Sequence, residues 1–230
     1  MKLSVIIPSS MDVFVDGTRT EIEEFVSQGT KIDVVYLSSG PASVECEYDE
    51  ALAAPPILQR VAEAAEGGAD AVFITCFGDP GVHAARELVD IPVVGGFEPS
   101  ILTALSLGER VTIITVLPNV VPMLHGLTRR YGLESRINSN IRVVDIPVLA
   151  LDDHDILVDR LYVAAQEAIE SDRADVIVLG CTGMVQVAAN LQGSSRAAGR
   201  SYPSSTRPAQ QSIGWRRRFA SACGQVVRPT

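Results

Sequence analysis

Short apolar runs rich in β-branched residues alternate along this chain with longer stretches in which apolar positions recur every three or four residues. The first pattern predicts buried strands, the second helices packed on one face. Strands are expected over residues 3–7, 31–37, 69–76, 91–94, 110–116, 141–146 and 174–181. Helices are expected over 17–28, 50–67, 79–88, 98–107, 118–131, 153–171 and 183–191. In the first helix Ile22 and Phe25 or Val26 mark the buried face; in the second Ile57, Val61 and Ala65 do. Gly67-Gly68 and Gly132 read as helix ends. Asp79-Pro80 reads as a helix start, with Asp at the N-cap and Pro at the first helical position. Gly95-Gly96 closes the short fourth strand.

Strand and helix alternate throughout, so the fold class is α/β with mostly parallel sheets. Two stretches share one design: Ala69-Asp70 through Cys76 to Gly78, and Ala174-Asp175 through Cys181 to Gly183. Each runs from Ala-Asp through apolar residues to a Cys seven positions after the Ala, with a Gly two positions later. The cysteines lie 105 residues apart, each after a long helix. This reads as an internal duplication: two pseudo-symmetric Rossmann-like lobes, 1–108 with Cys76 and 109–192 with Cys181, and an active site in the cleft between them. Open parallel sheets place ligands at the carboxyl ends of their strands, which is where both cysteines fall.

Composition narrows the class. With 47% hydrophobic and 20% charged residues the 230-residue chain is globular. No apolar run approaches the ~18 residues of a membrane span. The run over 3–7 is too short for a signal peptide's core, and Pro8 ends it. Four Cys without close spacing give neither a disulfide framework nor a zinc site, so a reducing cytoplasm is expected. His83, His125 and His154 are scattered without ligand spacing, and no metal is expected. Of 19 Lys and Arg, seven lie in 193–230, which has no acidic residue; residues 1–192 keep 12 against all 28 Asp and Glu. That acidic body disfavours nucleic acid.

Two thiols at matched strand ends suit proton exchange at a carbon beside a carbonyl: one takes a proton from one face, the other delivers one to the opposite face. A free thiol has a pKa of about 8.5, and a helix N-terminus would lower it. Backbone N–H groups there could also hold an enolate-like oxygen. The plainer account is two inert core cysteines, which are common. Asp79 is either an N-cap or a residue that orients substrate or thiol. Thr182 either caps a helix or contacts substrate. Glu45 reads as a solvated loop carboxylate, and Thr75 as filler at a strand end.

Cys76-Phe77-Gly78-Asp79-Pro80-Gly81, with Ala84-Ala85-Arg86-Glu87, resembles the first-cysteine motif of the hydantoin racemases, in the aspartate/glutamate/hydantoin racemase superfamily. Gly180-Cys181-Thr182-Gly183-Met184 resembles the second-cysteine motif. Gly40-Pro41-Ala42-Ser43-Val44-Glu45, Asp49-Glu50 and Arg129-Arg130-Tyr131-Gly132-Leu133 are similar to further stretches of that group. The resemblance runs from residue 1 to about 192. It implies Cys76 and Cys181 as a catalytic pair, no cofactor, and a small-molecule substrate, a 5-substituted hydantoin or related compound. Pocket contacts are expected from Ser9, Ser10, Ser43, Gly78, Asp79, Thr182 and Gly183, and a homo-oligomer is expected. One departure stands out: the group's Asn-Pro-Asn loop is replaced by Ile7-Pro8-Ser9, and Ile7 cannot do an amide's work. Alternatives are an amino-acid (Asp/Glu-type) racemase, a decarboxylase or cis–trans isomerase of the same superfamily, and a non-catalytic binding or decayed homologue.

Residues 193–230 break the pattern. They are Arg-rich, lack periodicity and hold Arg216-Arg217-Arg218. They read as a frameshifted or a disordered tail rather than a nucleic-acid arm. Synonymous codons for residues 202–218, read two bases later, can encode the strand, turn and helix start that a last βα unit would supply.

Overall fold

The computed structural model describes residues 1–184 and the backbone of 226–227. The expected helix over 183–191 is seen only as a 3-10 turn at Thr182–Met184, and the rest of it lies outside the described residues, as does most of 193–230. The first half runs β1 (Lys2–Ile7), α1 (Val15–Phe25), β2 (Lys31–Tyr36), α2 (Glu47–Glu66), β3 (Ala71–Ile74), α3 (Val82–Leu88), β4 (Val93–Val94) and α4 (Phe97–Leu105). The second runs β5 (Val111–Thr115), α5 (Val120–Arg130), β6 (Arg142–Val143), α6 (His154–Glu170), β7 (Val176–Leu179) and β8 (Val226–Val227).

The strands form two four-stranded sheets, ordered β2-β1-β3-β4 and β6-β5-β7-β8. The order is the same in both, with the first strand of each half next to the cysteine-bearing strand. Every pairing is parallel except β7 with β8, which is antiparallel. The fold is thus α/β with two pseudo-symmetric lobes. The register Leu3↔Ala71 to Ile6↔Ile74 and its counterpart Val111↔Val176 to Ile114↔Leu179 bring Cys76 and Cys181 to equivalent strand ends.

One core packs α2 and α3 on the first sheet through Ile57, Val61, Val82 and Ala85. A larger one packs α5 and α6 on the second sheet. Phe77, Phe97, Ile101 and Ala104 are buried in this second core, so α4 and the turn after Cys76 pack across the lobe boundary. Apolar packing is thus continuous from the turn after Cys76 and α4 to the second sheet.

Two local expectations hold only in part. On α1, Ile22 and Val26 are half-buried, and Ile22 packs against Val5, Ile7 and Val34 of the first sheet, while Phe25 is 41% exposed and no residue of the helix is fully buried. Part of its apolar stripe faces a cavity. The turn at Asp79 is also not a helix N-cap. The helix α3 begins at Val82 and is preceded by Gly81, whose φ of 71° is left-handed. Asp79 itself has φ 50°, a conformation that Asp tolerates better than most residues.

Candidate active site

A cavity of about 260 Å³ lies between the lobes. Cys76 lines it from the first lobe and Cys181 from the second. The thiols are close enough that a charge on Cys181 would raise the pKa of Cys76. The Gly78 N–H donates to Cys76 Sγ at 3.4 Å. The Gly183 N–H plays the same part for Cys181. The glycine two positions after each cysteine is thereby explained: a Cβ at Gly78 would press on the Met123 methyl at 3.1 Å, and one at Gly183 on Leu151 at 2.9 Å.

The thiols are not the low-pKa groups that a helix N-terminus would give. Helix α3 starts six residues after Cys76, and Cys181 precedes only a 3-10 turn. Burial pushes the Cys181 thiol up to about 11, offset by the Gly183 N–H and reinforced by Glu45. Burial pushes the Cys76 thiol up as well, with Cys181, Asp79 and Glu50 adding to it. Poor hydration and negative neighbours outweigh one N–H donor each.

Among the other expected contacts, Ser9, Ser43, Gly78, Thr182 and Gly183 line the cavity. The hydroxyl of Ser9 donates to Ala42 O at 2.6 Å and accepts from the Met11 N–H at 3.0 Å, fixing the loop after β1. Thr182 Oγ1 donates across the cleft to Thr75 O at 2.9 Å, so its hydroxyl proton is committed to the scaffold. Ser10 does not line the cavity: its hydroxyl and its N–H both reach Pro41 O.

Asp79 does not line the cavity either. It is 3% exposed and sits behind the Cys76 turn. Its carboxylate accepts from the N–H groups of Phe97 at 2.9 Å and Glu98 at 3.4 Å, and from the Tyr131 hydroxyl at 3.3 Å. It caps α4, a helix 18 residues further on, and ties it to α5. Burial holds Asp79 at about 6 despite these donors. Gly95 and Gly96 make room for this packing. A Cβ on Gly95 would overlap Asp79 Oδ1, and one on Gly96 would come within 2.8 Å of Cys76 O.

Sequence reasoning missed three features. Glu45 is half-buried and not a free loop carboxylate: its Oε1 accepts from the Val148 N–H at 2.8 Å, joining the lobes near Cys181. Thr75 lines the cavity besides ending its strand. One face of α1 and His154, at the start of α6, complete the wall. The α1 face was legible as an apolar stripe, but nothing local told a cavity wall from a core face. No helix of the described residues is long and apolar enough to cross a membrane, and among them no group of three or more His, Cys, Asp or Glu could hold a metal ion.

Comparison with known proteins agrees with this architecture. The Asp/Glu/hydantoin racemase family matches residues 3–198. The chain is 38% identical to a hydantoin racemase of Pseudomonas sp. (strain NS671) over 193 residues, 84% of this chain and 77% of that protein. It is 38% identical to a hydantoin racemase of Paenarthrobacter aurescens, covering 83% of this chain and 81% of the other. Among solved structures, an allantoin racemase from Klebsiella pneumoniae aligns with a TM-score of 0.79 and 31% identity, covering 85% of this chain and 80% of that one. The chain belongs to the Asp/Glu/hydantoin racemase family and is an isomerase.

Proposed function

We propose that this protein racemises a 5-substituted hydantoin by proton exchange between Cys76 and Cys181. The observation that carries the reading is that thiols at equivalent strand ends, after β3 and after β7, line one cavity. For one enantiomer Cys181 is the base. Its thiolate takes the proton from the ring carbon, and the electron pair moves into the adjacent carbonyl as an enolate. The neutral Cys76 thiol gives its proton to the opposite face of that carbon. The product is the other enantiomer, with Cys181 now a thiol and Cys76 a thiolate, and the reverse reaction uses them in exchanged roles. Each proton lost by carbon is replaced by one from sulfur, so the chemistry needs no cofactor.

The loop N–H groups of Gly78 and Gly183 support each thiolate in turn. Ser9, Ser43 and Thr182 line the cavity and are the polar groups available to the ring. Among the described residues the cavity has no Lys or Arg, which suits a neutral ring over the free carboxylates of aspartate or glutamate. The mechanism requires both thiols reduced, as in a cytoplasm.

The test is polarimetry of purified protein with single enantiomers of hydantoins, aspartate and glutamate. The expected result is loss of optical rotation with at least one hydantoin and none with the amino acids. Racemisation of aspartate or glutamate alone would give the amino-acid reading instead. A folded protein that binds hydantoins and leaves their rotation unchanged would point to a non-catalytic binder.

A further inference from the structure

The wall that α1 contributes to the cavity holds more chemistry than the thiols require. Phe14, Gly17, Thr18, Glu21, Ile22 and Phe25 all line the cavity. Steps of three and four residues put them on one helical stripe. Phe14 and Ile22 also pack on Val5, Ile7 and Val34 of the first sheet, but α1 buries no residue fully, so the stripe keeps a surface toward the cavity.

Two residues of the stripe are unusual. A Cβ on Gly17 would meet nothing within 4 Å, and its backbone is ordinary right-handed helix. Glycine within a helix is costly in backbone entropy, and no turn or close approach demands it here. What it provides is open space beside Thr18 and Glu21. Glu21 sits half-buried in the stripe, next to Ile22, and burial together with Glu24 raises it to about 7. Among the described residues nothing donates a hydrogen bond to its carboxylate. A carboxylate so placed gains most from a ligand that brings its own N–H donor.

The exchanging carbon must lie at the thiols, so the part of the substrate free to reach another wall is the substituent on that carbon. We propose that the α1 stripe is the subsite for this substituent, that Gly17 sets its room, and that Glu21 selects substituents ending in an N–H donor, ureido or ammonium, over aliphatic ones of similar length. The inference rests on the hydantoin reading above and names the substrate class within it.

The test measures kcat and KM for racemisation of 5-ureidohydantoin, 5-(4-aminobutyl)hydantoin, 5-butylhydantoin and 5-methylhydantoin, with wild type, E21Q, E21L and G17L. Wild type is expected to favour the two donor-bearing substrates over 5-butylhydantoin by roughly tenfold or more in kcat/KM. E21L should remove that preference, mainly through KM. E21Q, an amide that still accepts a hydrogen bond, should keep the ureido preference and lose the ammonium one, and it carries the test if E21L does not fold. G17L should weaken the three longer substrates more than 5-methylhydantoin. Racemisation by wild type with a donor-to-butyl ratio that neither Glu21 variant moves by more than about twofold would overturn this inference alone. No racemisation of any of the four would overturn the hydantoin reading and this inference with it.

Discussion

The two cysteine loops begin from the same sequence design and end in different surroundings. Behind Cys76 the chain continues into α3, β4 and α4, and the loop is clasped by Asp79, Gly95, Gly96 and Tyr131. Behind Cys181 the described contacts include Thr182 on Thr75 and Glu45 near the thiol, both from the other lobe, with Gly180 against Ile113 and Ile114 of β5 and Gly183 against Leu151. The sheets differ likewise. The strand beyond β3 is parallel, while the strand beyond β7 is Val226–Val227, antiparallel. The difference reaches the chemistry. Cys76 has Cys181, Asp79 and Glu50 as negative neighbours, while Cys181, which burial pushes up to about 11, has Glu45. Matched strand ends supply matched positions; the loops behind them supply different surroundings.

The comparison breaks most sharply at the thiols. Cys76→Ser and Cys181→Ser should each lower racemisation by roughly 10³-fold or more, since each removes a proton carrier that acts on one face. Loss at only one position would make the other a bystander.

Glycines come next. Gly96→Ala places its Cβ against the backbone of Cys76, at 2.8 Å from the carbonyl oxygen, which cannot retreat without moving the thiol. Gly180→Ala meets chiefly an Ile113 methyl, at 2.9 Å, which can. Gly96→Ala should therefore cost about 1–3 kcal/mol in chemical denaturation and reduce kcat, with Gly180→Ala milder on both counts. Equal effects would mean the two loops are equally rigid.

Asp79 sharpens the same contrast through pH. Its folded pKa is about 6, above the ordinary carboxylate range, so the folded state holds its proton more tightly than the unfolded state. The resulting stability is fully present below about 4 and is lost as pH rises through about 6. Wild type should be more stable at pH 5 than at pH 7 by roughly 1 kcal/mol relative to Asp79→Asn, which keeps an acceptor for the Phe97 N–H and tolerates the left-handed backbone. Asp79→Ala loses the cap as well and should be destabilised by about 2 kcal/mol at pH 7. The same pH dependence in Asp79→Asn as in wild type would assign the titration to another group.

Glu45→Gln is the gentlest probe. The amide oxygen can still accept from Val148, while the charge that raises Cys181 is gone. The rising limb of kcat/KM with pH, set by formation of the Cys181 thiolate, should move to lower pH. The gain on that limb should be on the order of two- to fivefold. A rising limb that stays in place would remove Glu45 from the control of Cys181.

Much of this is legible in the sequence. Ala-Asp starts, β-branched runs and a Gly two positions after each Cys identify paired strands, because strand burial and tight turns leave local marks. Asp79 was misread for an equally physical reason. Asp-Pro is a sound local start signal, but the N–H groups that Asp79 satisfies belong to residues 97 and 98. Glu45 finds its donor 103 residues away, so no window of sequence contains both partners. Phe25 shows the third limit: periodicity tells which face of α1 is apolar, and not whether a core or a cavity lies in front of it.

The central claim is that the two thiols serve opposite faces of one carbon. Deuterium exchange at the ring carbon in D2O, followed by NMR from each pure enantiomer, tests it most directly in Cys76→Ser and Cys181→Ser. The account predicts that each variant washes deuterium into one enantiomer only, that the two variants choose opposite enantiomers, and that neither racemises. Exchange of both enantiomers by either variant, or the same enantiomer by both, would contradict it.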